Sequence, residues 1–259
     1  MRIVVLVRQV PCAVGGLSFN ADNTLRRAGV RSQLNDADAC AVDQAWRIAV
    51  RRTGAQVTAV TMGPAGAAAA LRKSLVLGAD EGVHILDDAL AGCDALGTAR
   101  VLAAAVRRLG FDLVLCGAAA TGSATAVVPA MVAEILGVPV LCFADGLKLT
   151  GDGVEIRRDD GAGVQTWAAT LPAVVSVTPR CGTPRYPRFA AVAQARHKLV
   201  RTWPLSRLGI RRSEVGLAAA VTRVRAVTPV EDRGRVVIDC DAPTAAARLA
   251  DFLAQRELL

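Results

Sequence analysis

The sequence predicts an α/β fold built on an open, doubly wound and mainly parallel sheet, and three observations predict it. Short β-rich apolar runs alternate with longer segments of helical period over the first 145 residues. The runs are apolar almost throughout, as strands buried on both faces are. The segments between them carry helix start and stop residues at their ends. After Asp145 the pattern changes, predicting added antiparallel hairpins and an extended carboxyl-terminal arm.

The strands are read at IVVLV (3–7), QVTAVTM (56–62), GVHIL (82–86), DLVLC (112–116) and VPVLCF (138–143). Residues 36–52 place Ala41, Ala45, Ile48 and Ala49 on one helical face, with Arg51 and Arg52 where the macrodipole favours cations, and Gly54 beyond. Residues 64–77 begin at Pro64 and stop before Gly78, while 94–109 stop at Gly110. A further helix is expected near Ala126, with Pro129 in its first turn. Between 146 and 177 the turn signals GDG and DDGAG predict hairpins that close the sheet edge. Residues 178–203 are rich in Pro and Arg and nearly without periodicity, so they read as an extended segment outside the core. The stretch 204–259 holds a possible strand at 236–238 and a final helix near Pro243, and reads as an arm that packs on the core or on another protein. This gives a core of 1–178, a recognition segment of 179–203 and the arm of 204–259.

A hydrophobic content of 53% suits a sizeable core. Only three of the 31 basic residues are Lys, so the net charge of +8 is almost all Arg. Aromatic residues make up 3% and no run of five basic residues occurs, which argues against nucleic acid, where stacking platforms are needed. The seven cysteines show no CxxC or metal-like spacing, and their odd number argues against a disulfide framework. A reducing, cytoplasmic compartment and no metal site are expected. The amino-terminal run of five apolar residues is too short for a signal peptide, and 126–144 is divided by Pro129, Glu134, Gly137 and Pro139, so no membrane insertion is expected.

Ligands of open α/β sheets bind beyond the carboxyl ends of the strands. Four loops qualify: 8–16, 34–39, 61–66 and 117–128. In the last, small residues and the hydroxyls of Thr121, Ser123 and Thr125 would let phosphate or ribose approach the backbone, whereas the alternative is a plain Gly/Ala connection. No GxGxxG follows the first strand and no GK[ST] occurs, which disfavours dehydrogenase and Walker-type sites. His84 reads as a strand or core residue, and no catalytic constellation assembles. Asp36 and Asp38 fall at a helix start and are expected to cap it.

Several stretches together resemble the beta subunit of electron transfer flavoproteins, including a FixA-like bacterial branch. IVVLVRQVP is similar to the family's opening strand, with Arg8 in place of the usual Lys. LNDADACAVDQA (34–45) looks like xNPxDExAVEEA through Asn35, Ala41, Val42 and Ala45. AVTMGPAGAAAALRKSLVLGAD (59–80) matches GPxxAxxxLRxALAxGAD through Gly63, Pro64, Arg72, Leu75, Gly78, Ala79 and Asp80. DLVLCG and AEILGVP (112–117 and 133–139) match at the family's spacing. Leu171 to Thr178, Pro184, Arg185, Tyr186, Phe189 and Lys198 match the signature segment and recognition loop. The resemblance runs in order from residue 1 to about 240.

The resemblance implies an adenine nucleotide alpha hydrolase-like core and an electron-carrying heterodimer. An alpha subunit would hold most of the redox FAD, and this chain would form a shallow base and bind AMP or, in bifurcating relatives, a second FAD. It implies contacts to nucleotide from Leu6, Arg8, Asn35, Asp36, Ala37, Asp38, Met62, Gly63, Gly117, Ala120, Thr121, Gly122, Ser123, Thr125, Val128 and Pro129. Arg185, Tyr186, Arg188, Phe189, Arg196 and Lys198 would dock dehydrogenase donors, an apolar ring with charges around it. The chain departs from the family in its fourth loop, which lacks the usual Lys, Gln and Asp side chains, and at Asp36, which replaces Pro. A structural subunit with a vacant nucleotide site and a stand-alone adenine-nucleotide-binding protein are the alternatives. No catalytic role of its own is expected, since the chemistry belongs to the flavin.

Overall fold

A computed structural model describes every residue except 13–16, 28, 122, 229–235 and 259. The chain divides into a unit of Met1–Arg225 and a second of Ala226–Leu259.

In the first unit, β1 (Arg2–Leu6) leads through β2 (Gln9–Pro11) and β3 (Ser32–Leu34), a small antiparallel pair, into α1 (Asp36–Ala49). β4 (Gln56–Met62), α2 (Ala68–Leu77), β5 (Glu81–Ile85), α3 (Ala95–Leu109), β6 (Leu113–Gly117), α4 (Val128–Leu136) and β7 (Val140–Ala144) follow. Then come β8 (Gly146–Thr150), β9 (Gly153–Asp159), β10 (Val164–Thr170), β11 (Ala173–Val177), α5 (Phe189–Ala195), β12 (Val200–Trp203) and a short turn of helix, α6 (Gly216–Ala219). Seven strands form one parallel sheet in the order β12-β5-β4-β1-β6-β11-β7.

Alternate residues of each strand enter two cores. Ile3, Val5, Val57, Ala59, Leu113, Leu115 and Val175 pack under α1 and α2. Val4, Leu6, Val60, Val83, Val114 and Val174 pack under α3 and α4, meeting Val101, Leu102, Val106 and Val132. Each such side chain contributes about 1.5–3 kcal/mol by leaving water, and burial on both faces explains the unbroken apolar runs. The punctuation works largely as read: the Asp94 side chain caps α3 by accepting from the Gly97 N–H, and Gly110 ends it. α2 is preceded by a tight turn, Ala65–Ala67, so Pro64 stands before that turn and not at the first α-helical position. α4 begins at Val128, with Pro129 in its first turn as expected.

Three expectations need correction. AVVSV (173–177) is not part of the hairpins: it is β11, fully buried between β6 and β7, and its five-residue buried run is that of a parallel inner strand. The hairpins themselves do not extend the main sheet. β8, β9 and β10 form a separate antiparallel sheet, which turns Val154 and Ile156 of β9 into the core beneath α1 instead of pairing edge to edge. Residues 178–203 are not wholly outside the core. They supply α5 and the parallel edge strand β12, whose Trp203 is buried, and four residues are too few for a period to show.

The second unit contains α7 (Ala242–Ala254), started by the Asp241 side chain, which accepts from the Thr244 N–H. Residues 236–238 are not a strand; Val236 and Val237 are exposed. Among the described residues no helix is long and apolar enough to cross a membrane.

Candidate functional site

The chain passes from β1 outward through β4 and β5 and returns to β6 on the other side of β1. This makes the crevice between the carboxyl ends of β1 and β6 the topological switch point, where such sheets take ligands. Leu6, Met62 and Gly117 are the last residues of β1, β4 and β6, so all three end at this edge. Thr61 Oγ1 donates to the Val7 carbonyl at 2.8 Å, and the His84 ring Nε2 lies 2.9 Å from the Gly63 carbonyl, tying neighbouring loops together. A carbonyl only accepts, so Nε2 carries the proton there. His84 is buried in β5, the strand role expected of it.

Asp38 occupies the crevice itself. Only 2% exposed, its carboxylate accepts from the Arg8 N–H at 2.8 Å and from the Gly117 N–H at 3.0 Å. The Asn35 amide donates to the Ala119 carbonyl at 2.9 Å, while the Asn35 N–H donates to the Arg8 carbonyl at 3.0 Å. The expected capping role is therefore wrong for Asp38: it joins the loops after β1 and β6, and Asn35 takes the N-cap position with no side-chain bond to the helix. Asp36 points to solvent, where Gln33 Nε2 donates to it at 3.4 Å. Ala37 is buried against Gly117: a Cβ at 117 would overlap Asp38 Oδ1 and sit 2.8 Å from the Ala37 Cβ. Only glycine lets the start of α1 come this close.

Burial pushes the Asp38 carboxyl up to about 6, against the pull of the Arg8 charge and of the N–H donors from Asn35, Arg8 and Gly117. Arg27, whose Nη1 donates to the Gln9 carbonyl at 3.3 Å, is held below its usual range by desolvation and by the Arg8 charge. Two guanidinium groups thus stand near the crevice, and no motif in the sequence marks Arg27.

The loop after β6 turns from buried Ala118 and Ala120 to exposed Thr121, Ser123 and Thr125; Gly122 lies outside the described residues. Ala124 and Ala126 hold left-handed φ angles of 44° and 55°. That conformation costs an L-residue roughly 1–2 kcal/mol, and backbone strain of this kind gathers at functional sites. α4 then starts at Val128 with no side-chain cap, leaving backbone donors at its first turn beside the three hydroxyls, and Pro129 is buried. Nothing in the sequence marks the strained alanines. The loop provides backbone donors and hydroxyls, and Arg8 and Arg27 provide positive charge, which together suit the ribose and phosphate of an adenylate. The inner donors of Arg8 and Gly117 are already taken by Asp38, so the donors left for such a ligand are those of the outer loop.

The six residues expected to meet a partner divide into two groups. Arg185 and Lys198 turn inward: Arg185 Nη1 pairs with Asp43 at 3.1 Å, its Nη2 donates to the Leu77 carbonyl, and its guanidinium lies 3.3 Å from the Trp46 ring centroid. Lys198 Nζ donates to the Leu75 and Ala79 carbonyls at 3.1 and 2.6 Å, a cation at the carboxyl end of α2. Gly78, with φ of 125°, leaves space for this; a Cβ there would collide with Arg185 and Trp46. Tyr186, 96% exposed, and Phe189, 89% exposed, face solvent with Arg188 and Arg196. Two inward cations clamp the segment while two rings stand free.

Asp38 yields a pH prediction. Because its folded pKa lies above the unfolded value, its contribution to stability is fullest below the unfolded pKa and is lost as pH rises through about 6. The carboxyl carbon resonance of Asp38 is expected to titrate near 6 and not below 4. Denaturant midpoints of wild type and Asp38→Asn at about pH 4.5 and about pH 7.5 are expected to show a smaller change with pH in the variant. For the clamp, Arg185→Ala is expected to cost about 2 kcal/mol in chemical denaturation, moderated because Arg47 still pairs with Asp43, and to speed proteolysis between 185 and 198.

The electron transfer flavoprotein domain model matches residues 22–208. An electron transfer flavoprotein subunit beta of Mycobacterium tuberculosis (strain ATCC 25618 / H37Rv) is 36% identical over 234 residues, 88% of each chain. One from Thermoanaerobacterium thermosaccharolyticum is 31% identical over 261 residues, and an acryloyl-CoA reductase electron transfer subunit gamma of Anaerotignum propionicum is 30% identical over 268, each covering 100% of both chains. With a family match over most of its parallel-sheet unit and end-to-end relatives of this kind, the chain belongs to the electron transfer flavoprotein family, among its beta subunits, and its role is electron transfer.

Proposed function

We propose that this chain is one half of a heterodimeric electron carrier, in which an alpha subunit holds most of an FAD and this chain closes the site from below. The convergence of four loops at the switch point, in a chain of this family, is the observation that carries the reading. The flavin supplies the redox chemistry when bound. This chain's own residues bind and position. Thr121, Ser123, Thr125 and the first turn of α4 hold an adenylate on the outer loop, Arg8 and Arg27 offset its charge, and Asp38 keeps the loops in register beneath it.

Dehydrogenase donors dock on the free rings of Tyr186 and Phe189, which Arg185 and Lys198 hold in place from behind and toward which Arg188 and Arg196 steer an acidic surface. The alpha subunit also covers α7, whose apolar residues include Leu249, Phe252 and Leu253. Seven free cysteines suit work in the cytoplasm. The chain carries electrons through its partner's cofactor and performs no separate reaction.

A second reading, a subunit with no nucleotide of its own, is favoured by Asp38 filling the innermost donors and by the absence of charged or amide side chains in residues 117–129. Nucleotide content separates the two. The chain purified with its partner subunit, denatured and chromatographed, is expected to release one FAD and one AMP per pair; FAD alone removes the adenylate from the proposal, and no flavin at all removes the carrier.

A further inference from the structure

At the opposite edge of the sheet, where β1, β4 and β5 begin, a cavity of about 590 Å³ opens beside the carboxyl end of α3. Arg2, Arg108, Arg201 and Arg207 line it against the single carboxylate of Glu81, an excess of three positive charges. Its size falls in the range of small-molecule sites. Arg201 pairs with Glu81, and Arg2 Nη1 donates to the Leu109 carbonyl at 3.5 Å, so these two are partly engaged. Among the described residues Arg108 and Arg207 make no ion pair.

A second and independent observation points to a ligand. Trp203 lines the same cavity and is only 4% exposed, yet its indole N–H is buried with no acceptor, and so is the Nε–H of Arg201. A buried donor without a partner costs about 1–3 kcal/mol, and these two are the only buried side-chain N or O atoms in that state among the described residues. Both unsatisfied groups are donors, and both belong to residues lining a cavity rich in guanidinium. An acceptor-only ligand carrying several negative charges completes them, whereas a monoanion would leave most of the positive excess in place.

We propose that this cavity is a binding site for a small phosphate-class polyanion, separate from the crevice at the other end of the strands. Its oxygens accept from the Trp203 indole and the Arg201 Nε–H, and the exposed guanidinium groups of Arg108 and Arg207 close over them. Arg207 already lies 5.2 Å from the centre of the Trp203 ring, which keeps its charge at the mouth.

The test is a titration of the full chain, purified with its partner subunit where it has one, with inorganic pyrophosphate. The readout is the nitrogen-15 indole resonance of Trp203, identified by its loss in Trp203→Phe. Trp46 and Trp167 lie elsewhere, so binding at the far crevice does not mimic a local response at this edge. Pyrophosphate is expected to move the Trp203 resonance to saturation at millimolar concentration, with acetate and chloride at equal ionic strength moving it little. Arg108→Gln with Arg207→Gln, both at exposed positions where the fold is retained, is expected to weaken binding at least about tenfold. No movement with pyrophosphate, an equal movement with chloride, or unchanged affinity in the double variant would overturn the proposal.

Discussion

One buried carboxylate organises the ligand-facing edge of this protein. Asp38 bonds the N–H groups of Arg8, just past β1, and of Gly117, at the end of β6, the two strands that flank the switch point. Hydrogen bonds to a charged group contribute roughly 1.5–3 kcal/mol each, but burying the ion costs several kcal/mol. The net stabilisation is therefore small, and what the arrangement fixes is position. It sets the loops after β1 and β6 against the start of α1, and Gly117 is what permits the approach.

The rest of the edge follows from that bond pair. With the innermost donors taken, anything bound at the crevice rests on the outer part of the loop, where the backbone is strained at Ala124 and Ala126 and the first turn of α4 is uncapped. Residues 117–129 carry no charged side chain, and Arg8 and Arg27 supply positive charge from the other side of the crevice. On the α1 and α2 side, the same logic of one buried acid holds the segment 185–198. Asp43, buried in α1, receives Arg47 and Arg185, so the helix that seats the crevice also anchors the rings of Tyr186 and Phe189.

The first five parallel strands and their helices were legible because continuous apolar runs and Gly or Pro punctuation carry that information locally. The later strands were less so. AVVSV had the composition of an inner strand, but its place after two hairpin turns suggested another hairpin arm; only the long-range pairing with β6 and β7 settles it. Val200–Trp203 is too short for a period, and its strand character comes from pairing with β5. At the site, the loops were legible by position and by resemblance, while the work of Asp38 was not. A carboxylate at a helix start normally caps its own helix, and nothing in a linear sequence shows that two other loops present N–H groups to it. Arg185 reads in the sequence as a surface residue, whereas its inward turn onto Trp46 depends on tertiary packing.

The central claim is that the Asp38 carboxylate, and not the strands alone, keeps the crevice closed. Native-state amide hydrogen exchange at Arg8 and Gly117, compared between wild type and Asp38→Ala, tests it most directly. The account predicts slow exchange at both amides in the wild type and a large, matched loss of protection at both in the variant, with Val5 and Leu115 in the adjoining strands still protected. Protection at Arg8 and Gly117 that survives the substitution would contradict it.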